Sequence, residues 1–193
     1  VHKQLGSAAA VVFPAGLEGE ILAEQHSFRV ASVRVSGLAL LSVYFPDVDK
    51  GDDEFESVVA EVEKTCQHWY AKGVRKFVIG CDAQVELAIA AGTSQNRIGP
   101  ASMAHENGHM QQSMHRAALL LALMQRWGLV ASNTWAADTT APWTRRHRSD
   151  QSRATQIDYI LVTDTLKYRA GVSNARRHGG SDHWPVWCCL QGG

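Results

Sequence analysis

Three segments of this 193-residue chain end or interrupt an apolar run with an acid. They are Val78-Ile79-Gly80-Cys81-Asp82, then Gln156-Ile157-Asp158-Tyr159-Ile160-Leu161-Val162, then Ser181-Asp182-His183 ahead of Trp184-Pro185 and an apolar stretch to Leu190. Short runs rich in β-branched and aromatic residues read as buried strands. Acids on separate strands gather like charges, a costly arrangement unless a cation or an imidazolium offsets it. Asp82, Asp158, Asp182 and His183 at one end of a sheet would suit metal-assisted hydrolysis of a phosphate ester. Alone, each Asp could cap a turn, His183 could be a hydrogen-bonded core histidine, and Tyr44 could be packing. The set carries the chemistry, not any one member.

The elements that must position these groups read as one mixed domain. A chain of this length that is 45% hydrophobic can bury one ordinary core, and nothing calls for a second domain. Strands are expected over Ala8–Phe13, Phe28–Val35 and Leu38–Phe45, the last two joined in a hairpin at Ser36-Gly37. Apolar residues at Phe55, Val58, Val59, Val62, Cys66 and Trp69 predict a helix over Asp52–Lys72, stopped by Gly73. A short buried strand follows over Arg75–Gly80. A second helix is expected over Gln111–Trp127, with Leu119, Leu120, Leu123 and Met124 on its apolar side and Gly128 closing it. Further strands are expected over Leu129–Asn133, Trp143–Arg146, Gln156–Val162, Lys167–Val172 and, as a buried strand, Trp184–Leu190. Many strands with two separated helices favour an α+β layered domain over a doubly wound one.

Charge and cysteine content exclude several classes. Lys plus Arg balance Asp plus Glu at 19 each, so bulk charge does not hold this chain to nucleic acid. Binding to a polyanion must be local, and two basic stretches stand just ahead of acid-bearing strands: Arg145, Arg146, His147, Arg148 and Arg153, then Arg176, Arg177 and His178. The acidic stretch Asp47, Asp49, Asp52, Asp53, Glu54 and Glu56 reads as a solvated first turn of a helix. Cys66, Cys81, Cys188 and Cys189 form no C-x-x-C pair, which argues against a disulfide framework or a zinc site. No apolar run approaches the roughly 20 residues of a membrane span, and Val1 to Gly6 shows no signal-peptide core. An intracellular location, with the nucleus as one option, and a monomeric state are expected. The tryptophans read mostly as core, with Trp143 the one suited to contact a base or sugar.

Read in order, Leu41-Ser42-Val43-Tyr44-Phe45-Pro46, Ile79-Gly80-Cys81-Asp82-Ala83-Gln84, Glu106-Asn107-Gly108, Leu129 to Trp135, Trp143-Thr144, Gln156 to Leu161 and Ser181-Asp182-His183 resemble the endonuclease/exonuclease/phosphatase superfamily. The likeness is greatest to the endonuclease domain of non-LTR retrotransposon, reverse-transcriptase-associated proteins, and it covers nearly the whole chain. It implies a four-layer α/β/β/α sandwich of two mixed sheets flanked by helices, with the site at one end of the sheets. It implies Mg²⁺ or Mn²⁺ as cofactor and nucleic acid, chiefly DNA, as partner. Asp82 would orient or deprotonate the attacking water, and Asp182 would help hold the hard cation. His183 would donate to the phosphoryl oxygen, with Asp158 fixing its tautomer and raising its pKa. Tyr44 would touch the scissile phosphate. Gln84, Asn107, Arg145, Arg148 and Trp143 would contact substrate.

Two departures from that pattern bear on activity. Gln84 stands where the family has Asn, and the longer arm shifts its amide by about an ångström. The family's first strand with its Asn, and the following Glu that is a principal metal ligand, have no counterpart here, and Glu18, Glu20 and Glu24 lie in a loop beyond the matching strand. A domain over residues 1–193 with an incomplete metal site and weak activity is expected on this reading. A non-catalytic domain that binds nucleic acid or a protein is the alternative. A third possibility, a zinc peptidase, rests on His105-Glu106-Asn107-Gly108-His109, which matches H-E-x-x-H. That motif needs an unbroken helix, and Asn-Gly forms turns while Gly costs about 1 kcal/mol inside a helix.

Overall fold

A computed structural model describes residues 9, 11, 19–21, 27–88, 90, 96–103, 110–135, 143–146, 154–173 and 181–191. The strand expected over Ala8–Phe13 falls outside these apart from Ala9 and Val11, and so does the His105–His109 motif. After β1 (Gly19–Ile21), β2 (Val30–Val35) turns back on β3 (Leu38–Tyr44) through Ser36 and Gly37, whose φ angles of 49° and 80° make the two-residue turn that suits twisted strands. Pairing then runs from Val35 opposite Leu38 to Val30 opposite Val43. Helix α1 (Asp52–Ala71) begins with Asp52, Asp53 and Glu54, where acids favour the positive end of the helix dipole, and buries Phe55, Val58, Val62, Cys66 and Trp69 along one stripe. Gly73, at φ 86°, ends it.

Strand β4 (Lys76–Asp82) lies parallel to β3 and extends two residues past its expected end, because pairing on both sides continues through Asp82. Helix α2 (Met110–Arg126) buries Ala117, Leu120, Leu121, Leu123 and Met124, a broader face than the sequence pattern implied, and β5 (Leu129–Ala131) follows. This strand stops two residues early. Asn133 lies in a 3₁₀ turn (Ser132–Trp135) and its side chain takes over the ladder: Nδ2 donates to the Asp158 carbonyl at 3.1 Å, and Oδ1 accepts from the Ile160 amide at 3.1 Å.

Short strands β6 (Arg145–Arg146) and β7 (Ala154–Thr155) pair with each other, and β7 was not expected. Strand β8 (Asp158–Thr163) starts later than expected because the Gln156 amide goes to Glu86 Oε1 and those of Ile157 and Asp158 to Thr144 Oγ1. Finally β9 (Tyr168–Val172) pairs antiparallel with β10 (Val186–Leu190). The expectation of a buried β10 is overturned: with β9 as its partner among the described residues it is half-exposed, and Trp187 is 46% exposed. Trp135, at 43%, is likewise not core, whereas Trp69 is fully buried.

The central sheet runs β1-β2-β3-β4-β8-β5, antiparallel except between β3 and β4. Both helices pack together against one face of it, around Leu41, Val43, Phe77, Ile79, Cys81, Tyr159 and Leu161. The β9–β10 pair rests against β8 and the 3₁₀ turn. This is an α+β sandwich with a mixed central sheet, as expected. Among the described residues no helix is long and apolar enough to cross a membrane.

Candidate active site

Strand alternation decides where the acids point. Phe77, Ile79 and Cys81 enter the helix-side core, so Asp82 faces the other way; Tyr159 and Leu161 do the same for Asp158, and Leu41 and Val43 for Tyr44. Register then sets the three side by side, Tyr44 opposite Asp82 and Asp82 opposite Asp158, across the ends of three adjacent strands. Sheet geometry therefore delivers a row of one phenol and two carboxylates from segments remote in sequence.

His183 joins this row from the segment ahead of β10. Its amide donates to Ser181 Oγ at 3.1 Å, and its Nδ1 lies 3.1 and 3.0 Å from the two Asp158 carboxylate oxygens. Ligand atoms of Asp82, Asp158 and His183 all lie within 4.8 Å of one another. Thr144, fully buried, ties this corner together: its Oγ1 accepts the Ile157 and Asp158 amides at 3.0 and 2.9 Å, and its carbonyl accepts the Trp184 amide at 2.6 Å.

The electrostatics follow from crowding. Burial, with the neighbouring Asp158 charge adding to it, pushes the Asp82 carboxyl up to about 6. The hydrogen bond to Asp158 raises the His183 pKa above its ordinary value, against an opposing effect of burial. Burial, then the Asp47 and Asp82 charges, raise Tyr44, whose hydroxyl donates to Asp47 Oδ1 at a long 3.5 Å. A carboxyl with a raised pKa, an imidazole whose protonated form is favoured and a phenol thus share one face. Two carboxylates and an imidazole this close also fit a divalent cation in donor type and spacing.

The chain is similar to the 3′-5′ exonuclease NExo from Neisseria meningitidis, with 17% identity over 92% of this chain and 71% of that one and a TM-score of 0.60. The endonuclease domain of TRAS1, a telomere-specific non-LTR retrotransposon, is 16% identical over 91% of this chain and 67% of its own, with a TM-score of 0.59. An AP endonuclease from Archaeoglobus fulgidus is 14% identical over 92% and 71%, with a TM-score of 0.52. The fold is that of the endonuclease/exonuclease/phosphatase proteins. No protein-family model matches the chain, and no curated protein matches it either.

Within this endonuclease/exonuclease/phosphatase fold the remaining expected site residues divide. Asp182 is not in the three-residue group; its Oδ2 lies 3.2 Å from Arg145 Nε. Burial would raise the Asp182 carboxyl, but a backbone hydrogen bond and the Arg145 guanidinium outweigh it and bring the pKa below the usual carboxylate value. Gln84 turns its amide back on Asp82: Nε2 donates to Oδ2 at 2.9 Å and the backbone amide to Oδ1 at 3.3 Å, with Gln84 held at φ 52°. Trp143 stacks edge-on against Trp184 at 4.7 Å, with the Arg146 guanidinium over its ring at 4.4 Å. Asn107 and Arg148 lie outside the described residues.

Three contributors were not singled out from the sequence. Thr144 and Asn133 hold the start of β8, and Arg29 sets its guanidinium 5.4 Å from the Tyr44 ring while pairing with Glu54. Arg29 had a signal available. A two-residue turn at Ser36-Gly37 fixes the hairpin register, and counting back places Arg29 opposite Tyr44, whose amide donates to the Arg29 carbonyl at 2.9 Å.

Proposed function

We propose that this protein hydrolyses phosphodiester bonds as a Mg²⁺- or Mn²⁺-dependent DNA endonuclease of the retrotransposon type. One observation carries the reading: in a nuclease-like fold, Tyr44, Asp82 and Asp158 form a row that His183 completes. Asp82, ionised above about pH 6, accepts the proton of the attacking water. His183, whose protonated form the Asp158 hydrogen bond favours, donates to the phosphoryl oxygen as charge builds there. Tyr44 offers a neutral hydroxyl to the same phosphate. Gln84 holds the Asp82 carboxylate in place through both its oxygens. The clustered Asp82 and Asp158 carboxylates would hold the divalent cation, which when bound supplies positive charge at the phosphate, whereas Asp182, the ligand the resemblance implies, lies outside that group against Arg145. DNA is favoured as substrate by analogy with the retrotransposon domain and with a 3′ phosphatase from Neisseria solved with a product DNA hairpin. The same reading goes with a monomeric state and an intracellular location, the nucleus being one option.

Nicking of supercoiled plasmid DNA in Mg²⁺ or Mn²⁺ tests this. The parent should nick, and His183→Ala and Asp82→Ala should each lower the rate by about 10²–10⁴. Cleavage by both variants at the parental rate would remove these residues from the chemistry. A second reading, DNA binding without cleavage, is favoured by the Arg145 contact that already neutralises Asp182. It predicts salt-sensitive binding weakened by Arg145→Ala or Arg148→Ala and no nicking in either metal.

A further inference from the structure

The hydrogen bonds that hold Asp82, Asp158 and His183 leave donor atoms to spare. Gln84 donates to both Asp82 oxygens, at 2.9 Å from Nε2 and 3.3 Å from its backbone amide, and each carboxylate oxygen keeps a second lone pair. His183 gives Nδ1 to the Asp158 carboxylate at 3.0 and 3.1 Å, while Nε2 has no hydrogen-bond partner among the described residues. A carboxylate on one ring nitrogen is the arrangement that orients an imidazole towards a metal through the other. The three residues are part-buried, and their ligand atoms, two oxygens and one nitrogen, lie within 4.8 Å of one another. That nitrogen separates the ions that could bind. Mg²⁺ favours a shell of oxygens alone, whereas Zn²⁺ and Co²⁺ take imidazole readily and hold mixed nitrogen and oxygen sets more tightly.

We propose that Asp82, Asp158 and His183 form an inhibitory site for a nitrogen-accepting transition ion, Zn²⁺ above all, which takes the imidazole together with the carboxylates. Mg²⁺ would use the carboxylates and leave His183 free. A ring nitrogen bound to a metal carries no proton, so zinc would remove the donor meant for the phosphoryl oxygen. Zinc would also neutralise the Asp82 carboxylate that accepts the proton of water. One divalent ion would thus serve these residues and another would silence them. The inhibition rests on the phosphodiesterase reading; the imidazole-dependent zinc site does not.

Metal binding to the full chain, with no nucleic acid present, tests the site. Zn²⁺ affinity is read by competition with a chromogenic chelator and Mg²⁺ affinity by calorimetry, and Co²⁺ serves as a probe whose visible absorption reports a nitrogen ligand. The parent should bind Zn²⁺ at least about 10²-fold more tightly than Mg²⁺. His183→Ala should weaken Zn²⁺ by about 10²-fold and change the Co²⁺ spectrum, yet should not weaken Mg²⁺. Asp82→Asn, which keeps the shape of the side chain, should weaken both ions. His109→Ala, in the H-E-x-x-H segment, should leave zinc affinity as it was, and circular dichroism confirms that each variant is folded. Zinc affinity indifferent to His183→Ala, Mg²⁺ weakened by that variant as much as Zn²⁺, or zinc released by His109→Ala instead would overturn the proposal. Zinc held through His183 in a protein that never nicks plasmid would sustain the site while refuting the nuclease reading. Nicking in Mg²⁺ that an equivalent of bound zinc leaves untouched would refute the inhibition and spare that reading.

Discussion

Asp82 is the residue most at odds with its surroundings, and pH should expose it. Its proton is held more tightly in the folded chain, at about 6, than at the ordinary 3.8. The stability it contributes is therefore complete below 3.8 and lost as pH rises through about 6. His183, also raised, acts in the same sense: its contribution is present below 6.5 and disappears as pH climbs through its folded value. The proposed mechanism needs the opposite state of Asp82 and the protonated state of His183. We expect kcat/KM for nicking to rise with pH through about 6 and to fall again above the His183 pKa, a bell that a pH series would trace. Asp82→Asn should raise thermal stability at pH 8 by on the order of 1–2 kcal/mol while removing activity, since it deletes one of two facing charges. A scanning-calorimetry melt at that pH measures it, and a lower melting temperature would contradict the account. Acids that end apolar runs were visible in the sequence, since a charge has little structural reason to stand there. The Arg145–Asp182 pair was not, because it depends on a tertiary strand contact that neither segment's own sequence specifies.

Among the elements, β8 matters most, for it carries Asp158 and lies between β4 and β5. Besides the ladder to β4, which runs through Asp158, its start is held by side chains, those of Thr144 and Asn133. Thr144→Val keeps the shape but leaves the Ile157 and Asp158 amides without their acceptor, at a cost of about 1–3 kcal/mol. Urea unfolding should show that loss, nicking should weaken with it, and Thr144→Ser should restore both. Equal stability of the Val variant would mean that water replaces the hydroxyl. The main helices and strands were legible from period and turn chemistry, because one buried face per element fixes them. Strand ends were less so at β5 and β8, where Asn133 and Thr144 substitute for main-chain partners, an exchange that single-residue propensities do not encode. Half-exposure of β10 was hidden for a related reason: its apolar residues mark a strand, but how many neighbours cover it is a property of the sheet.

For the whole molecule, one buried cation ties the helices to the loop that follows Tyr44. Arg116 of α2 is fully buried, stacks 5.1 Å from the Phe55 ring, and donates to Asp52 Oδ1 at 2.8 Å and to the carbonyls of Pro46, Asp47 and Lys50. Arg116→Met strands these acceptors and should cost about 3 kcal/mol in urea unfolding. A smaller loss than for an exposed charge would show that the loop reorganises.

The order of the central sheet sets a timetable for the centre it carries. Asp82 gains its facing acid only when β8 slides between β4 and β5, two strands that precede it in the chain. A nascent polypeptide still short of Ala154 owns one acid of that pair and no imidazole to join it. Translation must pass His183 before the group of Asp82, Asp158 and His183 can assemble.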